Sequence, residues 1–444
     1  MTLTHHRSVS RRHLLAAAAA ATLLATAGCS TDSGSSPSAG AAVTPTTQAV
    51  PSASGTARTP TRADADLVIW TSDVASRAVT PIAQAFGRKN GISVAVQVIA
   101  ADLAATAITA NAAGNGPDVL TLPNDFLGGA LQNGAISPLS LSPADLTAYD
   151  PNAVASVSRN GQVWALPYAM ENLVLYRNTD AVAKAPATVE DLVSSGQAAV
   201  RKGTVDRALS LPVGQDGDAY HLQPFFTSAG GSLFGTDAKG QYDPTKVGIG
   251  TPASIRAAQK IAALGAKGSK VLSRSIDGSN AIAQFTAGKA AFLVSGPWAL
   301  ADIRKSKVPY DITPVPPFKG GRPAAPFLGV QALWTLSNAK NPTFAEEFVT
   351  QAMNTPEAMT AMYQQDPRPP VRSDVLASVS AKDPDMAKLA AGAKNATMLP
   401  DFSFMAGVWP PLGQAYAAIV GGADPAATMR KTGRTIQSVI AKAP

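Results

Sequence analysis

One cysteine, Cys29, occurs in the 444 residues, so no intrachain disulfide can form. Histidine is almost as scarce: His5, His6 and His13 stand near the start, which leaves His221 as the only imidazole in the rest of the chain. That stock cannot assemble a zinc cluster, and it offers no Cys–His nucleophile pair. No Gly-rich phosphate loop ending in Lys-Ser or Lys-Thr occurs, and Gly230-Gly231 and Gly320-Gly321 read as turns. No apolar run reaches the ~20 residues that a spanning helix needs. Aromatic residues make up only 6% of the chain, so each of the five tryptophans calls for its own explanation.

What is present at the N-terminus reads as an address. Arg7, Arg11 and Arg12 precede the short apolar run Leu14–Ala27, and small residues follow. A basic region, a short apolar core and small residues describe an export signal, here residues 1–28, which is set aside from fold reasoning. Ser10-Arg11-Arg12-His13-Leu14-Leu15 resembles a twin-arginine signal, and Thr26-Ala27-Gly28-Cys29 resembles the lipobox cut before an acylated cysteine. Cys29 is thus expected to carry a diacylglycerol anchor that holds the protein on the outer face of the cell membrane. Residues 29–65 are Ser, Thr, Pro, Ala and Gly with almost no large apolar side chain, and are expected to form a disordered tether. The three arginines leave with the leader, which holds no acid, so the formal charge falls from +7 to +4. That excess is unclustered, and no nucleic-acid partner is expected.

About 380 residues remain, more than one domain usually holds, so two lobes are expected. Leu67-Val68-Ile69-Trp70, Ile92–Val98 and Pro117–Leu122 read as strands, with helical stretches near Val79–Arg88 and Ala101–Ala113 between them. Later segments repeat the alternation, with strands at Leu173–Tyr176 and Ala290–Val294 and helices near Pro252–Leu264 and Thr343–Met353. The fold class is α/β, with helices on the faces of parallel or mixed sheets. In such sheets ligands bind beyond the carboxyl ends of the strands. Those ends carry Ser72-Asp73, Asn124-Asp125 and Ser295-Gly296-Pro297-Trp298.

Several blocks in order carry a resemblance: Leu67–Val98, Gly114–Gly129, Asn160–Asp180, Gln223–Gly248, Ala281–Phe348 and Met398–Tyr416. Together they resemble the sugar-binding solute-binding proteins of ABC importers, within them the maltose/maltodextrin-binding group. The resemblance implies a periplasmic-binding-protein-like fold, two α/β lobes joined by chain crossings around a central cleft. It places the first lobe at residues 66–169 and 331–377 and the second at 170–330 and 378–444. It implies a receptor with no enzymatic activity and no cofactor, a monomer that hands an oligosaccharide to ABC importer permease subunits.

Asp125 matches the family's cleft aspartate, whose carboxylate accepts hydrogen bonds from sugar hydroxyls; the bland alternative is a helix cap. Glu171, in Leu166–Asn172, matches the binding glutamate of a crossing segment, and its alternative is an internal salt bridge. Trp298 in Gly-Pro-Trp and Trp409 in Val-Trp-Pro match the two tryptophans that stack on sugar rings, whereas Trp164 and Trp334 read as core. Asp73 resembles the aspartate after the first strand, with spacing one residue short, and a turn or cap is its alternative. Gln223 and Phe225 stand where the maltose group has a glutamate and a tyrosine, Leu122 where it has a tryptophan, and Phe126 where it has an arginine. The altered polar set leaves the sugar open, with maltodextrins and disaccharides such as trehalose all in range. A non-sugar or phosphorylated solute and a glycosidase using Asp125 with Glu171 are the alternatives.

Overall fold

A computed structural model describes residues 61–100, 102–237 and 241–443. The export signal, Cys29 and most of the expected tether lie outside those residues.

The first sheet begins with Leu67–Thr71, whose five residues are all buried and so cannot form a one-sided amphipathic strand. It pairs in parallel with Val94–Val98 on one side and with Val119–Pro123 on the other. The ten-residue strand Phe327–Leu336 then runs antiparallel to Val119–Pro123 and to Ala165–Glu171, so the later part of the chain completes the sheet that the first part starts. The short strand Thr397–Met398 adds to its edge. Trp70 and Trp334 are fully buried here, and each indole N–H still finds an acceptor, Gln97 and the Leu122 carbonyl, both at 2.9 Å.

The second sheet has the order Tyr310–Thr313, Val174–Asn178, Ala290–Ser295, Arg207–Ser210, antiparallel except for the last pair. The chain leaves the first sheet after Glu171 and re-enters it at Phe327. The α/β architecture with two lobes and chain crossings is the one expected.

Local chemistry explains where the helices start. The expected helix at Val79 begins at Asp73, because Ser72 caps it by accepting from the Ala75 N–H and Pro81 is accommodated inside it. Thr188 and Asp191 form a reciprocal capping box at Val189–Arg201. The helix Trp409–Val420 has Pro410 and Pro411 in its first turn, where missing N–H groups cost nothing.

One part of the tether expectation is corrected. Arg62 is buried, not trailing in solvent: its guanidinium donates to Asp118 at 2.7 Å and to the Gly116 carbonyl at 3.0 Å. Asp118 also accepts from the backbone N–H groups of Val68, Lys340 and Asn341, so one buried carboxylate ties three distant segments together. Composition cannot reveal a pairing of this range.

Candidate functional site

Asp125 follows the strand Val119–Pro123 and opens the short helix Phe126–Gln132. The turn that carries it is fixed by Asn124, whose side chain accepts from Val330 N–H at 2.9 Å while its backbone donates to the Val330 carbonyl at 2.8 Å. Asp125 occupies the cap position but its carboxylate caps nothing, so the bland reading finds no hydrogen bond. Burial pushes this carboxyl above the usual carboxylate range, a bond to its own backbone opposes that, and the charge of Asp401 adds to the rise.

A cavity of about 530 Å³ opens against Asp125. The first lobe contributes this acid, and the second contributes Asp216, Asp218, Tyr220, Trp409 and Gln414. Trp409 is half-buried and meets Phe327 edge-on at 5.7 Å. Phe327 lies 6.1 Å from Tyr220, and Tyr220 lies 6.3 Å from Trp298, so a continuous series of rings joins the two expected tryptophans. Trp298 is placed by Gly296: a Cβ there would run into the indole, and the Gly296 carbonyl accepts from the Tyr176 hydroxyl at 3.0 Å.

Tyr220 is the most informative residue that sequence reasoning missed. Its hydroxyl is buried and has no hydrogen-bond partner although it borders a cavity with three carboxylates. Burial raises the phenol's pKa, and the charges of Asp125 and Asp218 raise it further, so it remains a donor. Asp218 behaves differently. Burial opposes its ionisation, but hydrogen bonds and charge from His221 outweigh that and hold it low. The His221 Nδ1 lies 2.7 Å from the Asp218 carboxylate, and the imidazole packs edge-on to Trp298 at 6.1 Å. The Asp216-Gly217-Asp218 run follows the strand Arg207–Ser210, so the strand-end rule itself would have found these acids.

The remaining expected residues divide. Glu171 is ion-paired with Arg368 and accepts from Gln331 Nε2 at 3.2 Å. Arg368 also donates to Asp366 and lies 5.8 Å from the Trp298 ring centre, so Glu171 connects to Trp298 through a guanidinium. Asp73 is exposed and pairs with Arg77 at 2.7 Å along its own helix, away from the cavity lining. Gln223 and Phe225 do not line the cavity: Phe225 is buried in the second lobe's core, edge-on to Phe318 at 6.3 Å, and Gln223 is buried with its Oε1 unpartnered. Phe126 likewise packs into the first core against Trp334, at 5.4 Å. Leu399 borders the cavity, and two residues on Asp401 forms an ion pair with Arg159 of the first lobe. Gly128 lets the helix Phe126–Gln132 approach this segment, since a Cβ there would strike the Asp401 carbonyl. Among the described residues no group of acids, His and Cys is placed to hold a metal ion.

The family described as bacterial extracellular solute-binding protein matches residues 81–388. The chain belongs to that family. A galactooligosaccharide-binding protein of Bacillus subtilis (strain 168) is 25% identical over 389 residues, 84% of this chain and 89% of the relative. A maltooligosaccharide ABC transporter solute-binding lipoprotein of Streptococcus pneumoniae (strain ATCC BAA-255 / R6) is 27% identical over 68% of this chain and 71% of the relative. Among solved structures, the Thermus thermophilus maltotriose binding protein bound with maltotriose superposes with a TM-score of 0.75 and 28% identity. That match covers 84% of this chain and all of the other. The periplasmic-binding-protein-type fold expected from the ordered blocks is thereby shown.

Proposed function

We propose that the chain is an exported, lipid-anchored receptor that captures an oligosaccharide of glucose or galactose units and delivers it to an ABC importer. The observation that carries this reading is the cavity between Asp125 and Trp409, which offers acids, an unpartnered phenol and flat aromatic rings to one ligand. A pyranose has a C–H face that an indole covers and a rim of hydroxyls that carboxylates accept from. Relatives named for maltooligosaccharides and galactooligosaccharides support the same ligand class. Asp125 acts from the first lobe, with Tyr220 and Trp409 from the second, so a bound sugar favours the closed arrangement by contacting both. Three carboxylates on the cavity disfavour a phosphorylated solute. The protein works without a cofactor and without bond cleavage, as a monomer held to the membrane through acylated Cys29, with permease subunits as its partners.

Asp125→Asn tests the acid's part. A hydrogen bond to an ionised group contributes about 1.5–3 kcal/mol, so calorimetry should show affinity for the best saccharide falling roughly tenfold or more. The carboxylate is the accepting form, and its pKa is raised. Acidification therefore weakens wild-type binding at a pH above the ordinary carboxylate range, while D125N shows a flatter profile over that interval. Equal pH profiles in the two proteins would remove Asp125 from the binding site.

A further inference from the structure

The second lobe carries another cavity of about 530 Å³, lined in part by Arg207 and Ala208 at the start of the strand Arg207–Ser210. Arg207 opens the strand Arg207–Ser210 and pairs with Ala290, the first residue of the parallel strand that ends at Ser295 and leads to Trp298. Arg207 is thus removed from the sugar-facing end of the sheet by the length of that strand, about 17 Å, whereas Ser273 and Ser275 flank Arg274, which donates to the Gln215 carbonyl beside Asp216 at 3.2 Å.

Its lining includes the cations Arg201, Arg207 and Lys270, the hydroxyls of Ser269, Ser273 and Ser275, and a single acid, Asp206. Among the described residues none of the three cations forms an ion pair. Exposed cations are ordinarily solvated, so Arg201 and Lys270 alone would carry little, and Arg201 also offsets the carbonyl end of the helix Val189–Arg201. Arg207 and Ser269 decide the matter. The Nε of Arg207 and the Oγ of Ser269 are both buried and both lack a partner. An unsatisfied buried donor costs about 1–3 kcal/mol, a cost that an oxyanion reaching both would relieve. Lys270 is held at φ 58°, in the left-handed region, by its N–H to the Gly265 carbonyl at 3.1 Å. Strain of this kind persists where surrounding contacts enforce it, and here it fixes the backbone that carries Lys270.

We propose that this cavity is a binding site for a phosphate group, with the Arg207 guanidinium and the Ser269 hydroxyl as its inner donors and Arg201 and Lys270 as its outer charges. A guanidinium fork matches two oxygens of a tetrahedral oxyanion, and the hydroxyl donates to a third. The phosphate comes either from a soluble anion or from a lipid headgroup of the membrane surface. Its inner donors, Arg207 and Ser269, are not among the residues that line the sugar cavity.

Three probes separate the outcomes: inorganic phosphate and pyrophosphate by calorimetry, and vesicles of phosphatidylglycerol in phosphatidylcholine by co-sedimentation. All are run on the Cys29→Ser full chain, so that no acyl anchor contributes. Saturable binding of a soluble probe that weakens roughly tenfold or more in Arg207→Gln, with a smaller loss in Lys270→Gln, is the expected result. Binding to vesicles alone, lost in the same variants, would assign the phosphate to a lipid. Arg207→Lys keeps the charge without the fork and should fall between wild type and R207Q. Unchanged melting temperatures without phosphate establish that the variants fold. Binding by none of the three probes, or binding indifferent to Arg207, overturns the proposal.

Discussion

Replacing Trp409 by alanine is expected to lower affinity for the preferred oligosaccharide by roughly 100-fold while leaving the fold intact. Tryptophans that anchor an interface commonly contribute 2 kcal/mol or more, and about 2.7 kcal/mol corresponds to that factor. The indole's rigidity is part of its value, because little rotamer freedom is lost when a sugar ring settles on it. The fold is spared for a local reason. Trp409 is half-buried at the start of a helix whose first turn is held by Pro410 and Pro411, and the helix's core contacts are made by Leu412, Tyr416 and Ile419 further on. Trp409→Phe keeps a smaller ring and should retain part of the affinity. Calorimetry on both variants checks this, and an unchanged dissociation constant in W409A would place the sugar elsewhere. Trp298 is a less clean probe, since its ring also faces the Arg368 guanidinium, which holds Glu171 and Asp366.

The second large effect is on stability. Asp118→Ala is expected to destabilise the protein by about 3–5 kcal/mol, the usual cost of stranding the partner of a buried ion pair. Asp118 is fully buried and its side chain gathers Arg62 together with the N–H groups of Val68, Lys340 and Asn341. Alanine leaves a buried guanidinium unpaired and three backbone donors short of their acceptor. Arg62→Ala should cost less, because the carboxylate then keeps its backbone donors. Urea unfolding gives both numbers, and a loss under about 1 kcal/mol for D118A would show that these groups find other partners or water.

The same pair marks where the sequence was readable. The buried strands, and the acids and tryptophans at their ends, stood in plain view, because a run such as Leu67–Thr71 needs cover on both faces and the residue after it must turn. Asp125 borders the cavity for that reason, whereas Trp409, which opens a helix and follows no strand, was legible only through the family resemblance. Contacts of long sequence separation were not readable. Arg62 looked like tether until Asp118 accounted for it, and Glu171 found a partner 197 positions away in Arg368. Asp73 was displaced by a local competitor: Ser72 took the cap, and the aspartate turned outward to Arg77. Gln223 and Phe225 failed through helix phase. The helix Gln223–Ser228 buries nearly every side chain, and the ring that faces the cleft is Tyr220, three residues earlier.

The central claim is that one saccharide binds between Asp125 on one lobe and Tyr220 and Trp409 on the other. Calorimetric titration of the wild-type protein with maltooligosaccharides, galactooligosaccharides and trehalose tests it most directly. One of these sugars should bind saturably at one site per chain, and D125N and W409A should each weaken that binding. Heat-silent titrations with every sugar, with no shift in melting temperature, would contradict it.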